Sequence, residues 1–136
     1  MKKVSIPACF ILVLSLLLAV GCATFLGPCA HEDGSVGACF WAGRALTGIG
    51  AVLAVQAVMA LAVRSGRIRL GVYLSMLPAA LFGLLTPGTL FSLCGMASMR
   101  CRAITQPAGM VLSGIIFVLA CAGAVLDLKK NRKENP

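Results

Sequence analysis

The chain has 136 residues, 60% of them hydrophobic and 12% charged, with a net charge of +8. Soluble domains are about half apolar and about a quarter charged, so a water-facing globule is excluded. The positive charges lie beside apolar runs and are not interleaved with aromatic residues, so nucleic acid is not the expected partner.

Four continuous apolar runs succeed one another, at about 4–26, 41–63, 70–93 and 105–128. Each is about 22 residues or more, and a helix needs about 20 to cross a bilayer. Inside lipid the backbone must satisfy its own polar groups, which favours helices; strands would alternate in polarity. The sequence therefore predicts an all-α membrane protein: a single membrane domain of four transmembrane helices, arranged as two similar helical hairpins.

The first run follows Lys2 and Lys3 and contains Ala19-Val20-Gly21-Cys22. That pattern also resembles a secretory signal with a bacterial lipobox, cleaved before Cys22. The retained helix is the preferred reading. Ala19 stands where a lipobox carries leucine, and the apolar run continues to Leu26.

The first loop is bracketed by Cys29 and Cys39 and carries His31, Glu32, Asp33, Gly34 and Gly37. Trp41 then opens the second run, where tryptophan anchors a helix at the interface. Within that run Gly50, Ala54 and Ala57 form a small-residue stripe suited to close helix approach, and Gln56 suits an interhelical hydrogen bond.

A short basic turn, Arg64 to Arg69, makes the second and third runs antiparallel neighbours. Pro78 and Pro87 fall in the third run and are expected to kink it. The second loop reads Cys94-Gly95-Met96-Ala97-Ser98-Met99-Arg100-Cys101. Pro107 lies near the start of the fourth run, where proline is tolerated. Gly109 and Ser113 supply small residues there, and Asp127 sits near its far end. The tail from Asn131 to Pro136 is polar and expected to fray.

Charge orients the bundle. Lys2, Lys3, Arg64, Arg67, Arg69, Lys129, Lys130, Arg132 and Lys133 gather at one end, whereas Arg44, Arg100 and Arg102 lie at the other. The positive-inside rule places both termini in the cytoplasm and both cysteine loops outside. The expected location is a plasma (inner) membrane, crossed several times. The transmembrane core carries almost no ionisable residue, which argues against proton-coupled transport.

The two halves resemble each other, pointing to a repeat of 4–63 and 70–128. Thr24-Phe25-Leu26-Gly27-Pro28-Cys29 matches Thr89-Leu90-Phe91-Ser92-Leu93-Cys94, and Arg44-Ala45-Leu46-Thr47 matches Arg102-Ala103-Ile104-Thr105. Both copies would cross the membrane in the same direction.

The outward cysteines support three readings. The favoured one is structural disulfides, since the extracytoplasmic side is oxidising. Of three connectivities, Cys29–Cys39 and Cys94–Cys101 each close a short loop. The second is thiol redox: four helices with two outward cysteine pairs resemble quinone-linked disulfide-forming membrane oxidases. The chain lacks their close Cys-x-x-Cys, although Arg100 and Arg102 beside Cys101 would favour its thiolate. The third is a soft-metal site, in which Cys94, Met96, Met99, Cys101 and His31 hold copper. Cys9, Cys22 and Cys121 lie inside apolar runs, where thiols behave as small hydrophobes. No Walker loop, dinucleotide fingerprint, zinc-protease or nucleophile-elbow motif occurs.

Pro28-Cys29-Ala30-His31, Cys39-Phe40-Trp41 and the Cys94-Gly95-Met96…Met99-Arg100-Cys101 string together resemble an uncharacterised prokaryotic family, domain-of-unknown-function family 4418. Gly37 departs from a methionine that the family places two residues before the second cysteine. The resemblance covers nearly the whole chain. It implies a four-helix integral protein of a bacterial membrane with a link to ABC-type export machinery, and no known activity. The expected role is a non-enzymatic accessory or scaffold whose partners are the lipid bilayer, ABC-type transporter components or further copies of itself. No cofactor is expected; quinone or copper enters only under the rival readings.

Overall fold

The computed structural model describes residues 5–24, 38–86, 104 and 106–134. Four helices carry the described chain: α1 (Ile6–Ala23), α2 (Ala38–Ala62), α3 (Gly66–Leu85) and α4 (Gln106–Glu134). All four are long and apolar enough to cross a membrane. With 18 residues α1 is the shortest. At a rise of about 1.5 Å per residue it spans about 27 Å, close to the hydrocarbon thickness of a thin bilayer.

Helix existence follows the apolar runs, but the ends shift. The basic turn is shorter than the sequence suggests: only 63–65 separate α2 from α3, and Arg67 and Arg69 lie in the first turn of α3. The tail does not fray where expected, since α4 continues past Leu128 to Glu134. Lysine and arginine are good helix formers, and their charge complements the negative end of the helix dipole. Pro78 is inside α3, which continues through it, whereas Pro87 lies outside the described residues. Pro107 occupies the second position of α4.

Hydroxyls close the helix ends from within. Thr24 follows α1, and its Oγ1 donates to the Val20 carbonyl at 2.7 Å. Thr86 does the same after α3, donating to the Phe82 carbonyl at 2.6 Å. Each carbonyl also accepts the backbone N–H of the same threonine, at 2.9 Å, so the hydroxyl adds a second bond and satisfies its own donor locally.

The buried positions step by three and four alternately. They are Ala8, Ile11, Ser15, Leu18 and Cys22 in α1, and Tyr73, Met76, Ala80 and Gly83 in α3. In α2 the sequence runs Gly43, Leu46, Gly50, Leu53, Ala57, Ala60, and in α4 it runs Gly109, Ser113, Ile116, Ala120, Gly123, Asp127. This is the seven-residue repeat of left-handed coiled coils, whose seam keeps facing its partners. The contacts close a ring: α1 lies against α2 and α4, and α3 lies against α4 and α2.

Size is distributed inside out. Glycine, alanine and serine fill much of the interior, while Phe10, Leu17, Val55, Met59, Leu74, Leu81, Val118 and Leu126 are exposed. In water that outer surface would be a severe liability. In lipid it costs nothing, and the small interior residues let backbones approach for close packing. A Cβ on Gly50 would stand 2.9 Å from the Ala19 backbone nitrogen. Gly50 of the small-residue stripe therefore packs directly on α1. Gly83 is as tight against α4, since its Cβ would meet Ser113 Oγ at 2.9 Å.

Candidate functional site

The beginnings of α1 and α3 and the end of α4 come together at the basic end of the bundle. Arg69 enters from the first turn of α3 and Asp127 from the last third of α4. Nε of Arg69 donates to Asp127 Oδ2 at 2.7 Å, and Nη2 donates to Oδ1 of the same carboxylate. The pair is bidentate and nearly closed to the surround, with side chains 13% and 7% exposed. Bidentate guanidinium–carboxylate pairing is the geometry that best offsets the cost of removing two charges from water.

Tyr73 lies one turn deeper on the same face of α3. Its ring is fully buried, and its hydroxyl shares a hydrogen bond with Ser5 Oγ at 2.8 Å. Gly123 makes room for the ring, because a Cβ there would stand 2.7 Å from Tyr73 Cζ. Gly66 serves the adjoining turn similarly, its Cβ position being 2.6 Å from Asn131 Oδ1. Two glycines thus let α3 and α4 close around the ion pair and the tyrosine.

A groove opens beside this cluster, between the start of α1 and the end of α4. Its volume is about 260 Å³, and Ser5, Ile6, Pro7, Arg69, Gly123, Leu126, Asp127 and Lys130 line it. Its lining holds two cations against one anion already paired with Arg69. Arg64, Arg67, Lys129, Arg132 and Lys133, which neighbour Arg69 or Lys130 in the chain, are exposed, as is Glu134.

The other sequence-predicted residues fall elsewhere. Cys29, His31, Cys94, Met96, Met99, Arg100, Cys101 and Arg102 lie outside the described residues. The backbone of Cys39 lies at the second position of α2, but its side chain lies outside them too. Trp41 and Arg44 are exposed on the first two turns of α2, at the end away from Arg69. Gln56 makes the interhelical bond that its position suggested, Nε2 donating to Ser75 Oγ at 3.3 Å, while its Oε1 is buried without a partner among the described residues. Cys9, Cys22 and Cys121 are free thiols. Among the described residues, no group of three metal-ligating side chains occurs.

The Arg69–Asp127 pair at the basic end of the bundle is the ionisable feature that sequence reasoning did not assemble. That reasoning placed Arg69 in a turn and left Asp127 alone. A usable signal was present: an acid within an apolar helix calls for a partner at the same depth. With α3 antiparallel to α4, Arg69 is the base at that depth.

Four apolar, spanning helices around a small-residue interior define an integral membrane protein of the helical-bundle class. The chain belongs to the family described as Domain of unknown function (DUF4418), whose model matches residues 11–126. No curated protein and no solved structure matches it.

Proposed function

We propose that this protein is a non-enzymatic accessory or scaffolding component of a plasma (inner) membrane, with both termini cytoplasmic and its two outer loops closed by Cys29–Cys39 and Cys94–Cys101 disulfides. Components of an ABC-type transporter, or further copies of the chain, are its proposed protein partners. The observation that carries the scaffold reading is the bundle's interior. Its heptad seam interleaves alanine, glycine and serine with larger apolar side chains such as Ile11, Leu53 and Ile116, and its one described ion pair is satisfied by its own two members. Such close packing favours a rigid bundle, while large apolar side chains on every helix face outward. The reading calls for no cofactor.

The orientation is supported by seven described cations that gather at the Arg69 end: Arg64, Arg67, Arg69, Lys129, Lys130, Arg132 and Lys133. The duplication is supported most clearly in α1 and α3. Laying Thr24 on Thr89 carries buried Ala8, Ile11, Ser15 and Leu18 onto buried Tyr73, Met76, Ala80 and Gly83. The second helices need another register. Laying Arg44 on Arg102 would put buried Leu46 on Ile104, which is 50% exposed. The buried faces of α2 and α4 coincide when Leu46, Gly50 and Leu53 fall on Gly109, Ser113 and Ile116. A duplication with unequal outer loops accounts for both registers.

Mass spectrometry of the non-reduced, membrane-extracted protein tests the reading. The expected result is two stable intraloop disulfides that persist in glutathione buffers. A cysteine pair that cycles with added quinone would replace it with a thiol oxidoreductase. Copper retained by reduced cysteines would replace it with a metal-handling role.

A further inference from the structure

The groove between the start of α1 and the end of α4 has two kinds of wall. Ile6 and Leu126 are 69% and 58% exposed, apolar, and continuous with the lipid-facing surface. Ser5, Arg69 and Lys130 make the other wall polar and cationic. We propose that this groove binds one anionic phospholipid, with its phosphodiester against Lys130 and Arg69 and an acyl chain along Ile6, Pro7 and Leu126.

Four observations converge on that occupant. First, charge is complementary: Asp127 is neutralised by Arg69, so Lys130 is left as uncompensated charge in the lining. Second, Asp127 engages Arg69 through Nε and Nη2, so the Nη1 hydrogens stand outside that pair. Third, the cations sit where apolar helix gives way to basic helix, between Leu128 and Lys129 on α4, which is headgroup depth for a spanning helix. Basic pockets between transmembrane helices at that level bind anionic headgroups. Fourth, the volume of about 260 Å³ is below the roughly 300–1,000 Å³ of pockets that enclose a drug-sized ligand. It holds a headgroup whose tails remain in the bilayer, which a groove open to lipid permits. The proposal rests on the membrane embedding of the preceding reading, and on neither its disulfides nor its scaffold role.

The test uses the full chain in nanodiscs of mixed phosphatidylglycerol and phosphatidylcholine, released into native mass spectrometry. One phosphatidylglycerol is expected to stay bound in preference to phosphatidylcholine. Lys130→Gln should lower that preference about fivefold, the usual effect of one cation near an anionic lipid surface. Lys129→Gln removes the same charge from an exposed neighbour outside the groove and should leave the preference unchanged. Leu126→Trp should displace the lipid by filling the apolar wall, with helix content by circular dichroism unaltered. Equal retention of the two lipids would overturn the proposal. So would equal losses in Lys129→Gln and Lys130→Gln, which would mean diffuse attraction to a charged surface. Release of the lipid by inorganic phosphate alone would also overturn it, in favour of a free-anion site.

Discussion

Arg69 Nε donates to Asp127 Oδ2 at 2.7 Å, joining residues 58 apart in the chain and pinning the first turn of α3 to the end of α4. Both side chains are almost wholly buried. Removing one partner therefore leaves a largely desolvated charge without the counter-ion that paired it. Arg69→Ala or Asp127→Ala should each cost about 3–5 kcal/mol of unfolding free energy, whereas the double Arg69→Met, Asp127→Leu exchange should recover most of it. Denaturation in mixed detergent micelles, followed by circular dichroism, checks this. A double variant no better than either single one would sink the claim that the loss comes from the orphaned charge.

Tyr73 and Gly123 are matched in shape. The Cβ of Gly123→Ala would lie 2.7 Å from the buried ring, which has no room to retreat while Ser5 holds its hydroxyl. Overpacking of this kind costs about 1–3 kcal/mol. Gly48→Ala is the control, because nothing lies within 4 Å of its Cβ position. There the better helix propensity of alanine should stabilise by up to about 1 kcal/mol. Parallel melting of the two variants should give opposite signs.

Gln56 tests how much a polar contact contributes inside this bundle. Its single bond to Ser75 is long at 3.3 Å, and its Oε1 is buried without a partner among the described residues. Ser75 already donates to the Val72 carbonyl at 2.7 Å and needs nothing from Gln56. Interhelical hydrogen bonds in membranes are worth about 0.6 kcal/mol on average, and an unsatisfied carbonyl oxygen costs at least that. Gln56→Met should therefore be neutral or mildly stabilising in the same denaturation assay. A clear loss of stability would mean that Gln56 serves a contact beyond the one to Ser75.

These contacts also mark what could be read from the chain alone. The four helices were legible because bilayer thickness sets a length and apolar runs announce it. Helix ends were not, because charge does not stop a helix: Lys129 to Glu134 continue α4 into water, and Gly66 to Arg69 already belong to α3. The small residues Gly50, Ala57, Gly109 and Ser113 were legible as packing positions, since membrane interiors select for close approach. The Arg69–Asp127 pair was not, because each residue alone looks like an interface charge. Only the antiparallel placement of α3 and α4 puts them at one depth. Tyr73 gave no signal at all, as its partner Ser5 is 68 residues away.

The orientation and the cysteine loops can be tested together. Cys22 is 2% exposed, and Cys9 and Cys121 are half-buried within spanning helices, so none should react with a membrane-impermeant maleimide on intact cells. Cys29, Cys39, Cys94 and Cys101 should be equally silent at first, because as disulfides they hold no thiol. After treatment with an impermeant reductant all four should label from outside, adding four maleimide masses to the intact protein. Reagents entering only after permeabilisation should reach a cysteine introduced as Glu134→Cys, which marks the basic end of α4. The distribution of cations predicts this sidedness, because basic residues flanking a span are retained on the cytoplasmic face. Labelling of Glu134→Cys on intact cells would reverse the bundle. Labelling of the loop cysteines before reduction would leave the orientation standing and remove the disulfides, and with them the structural reading of those loops.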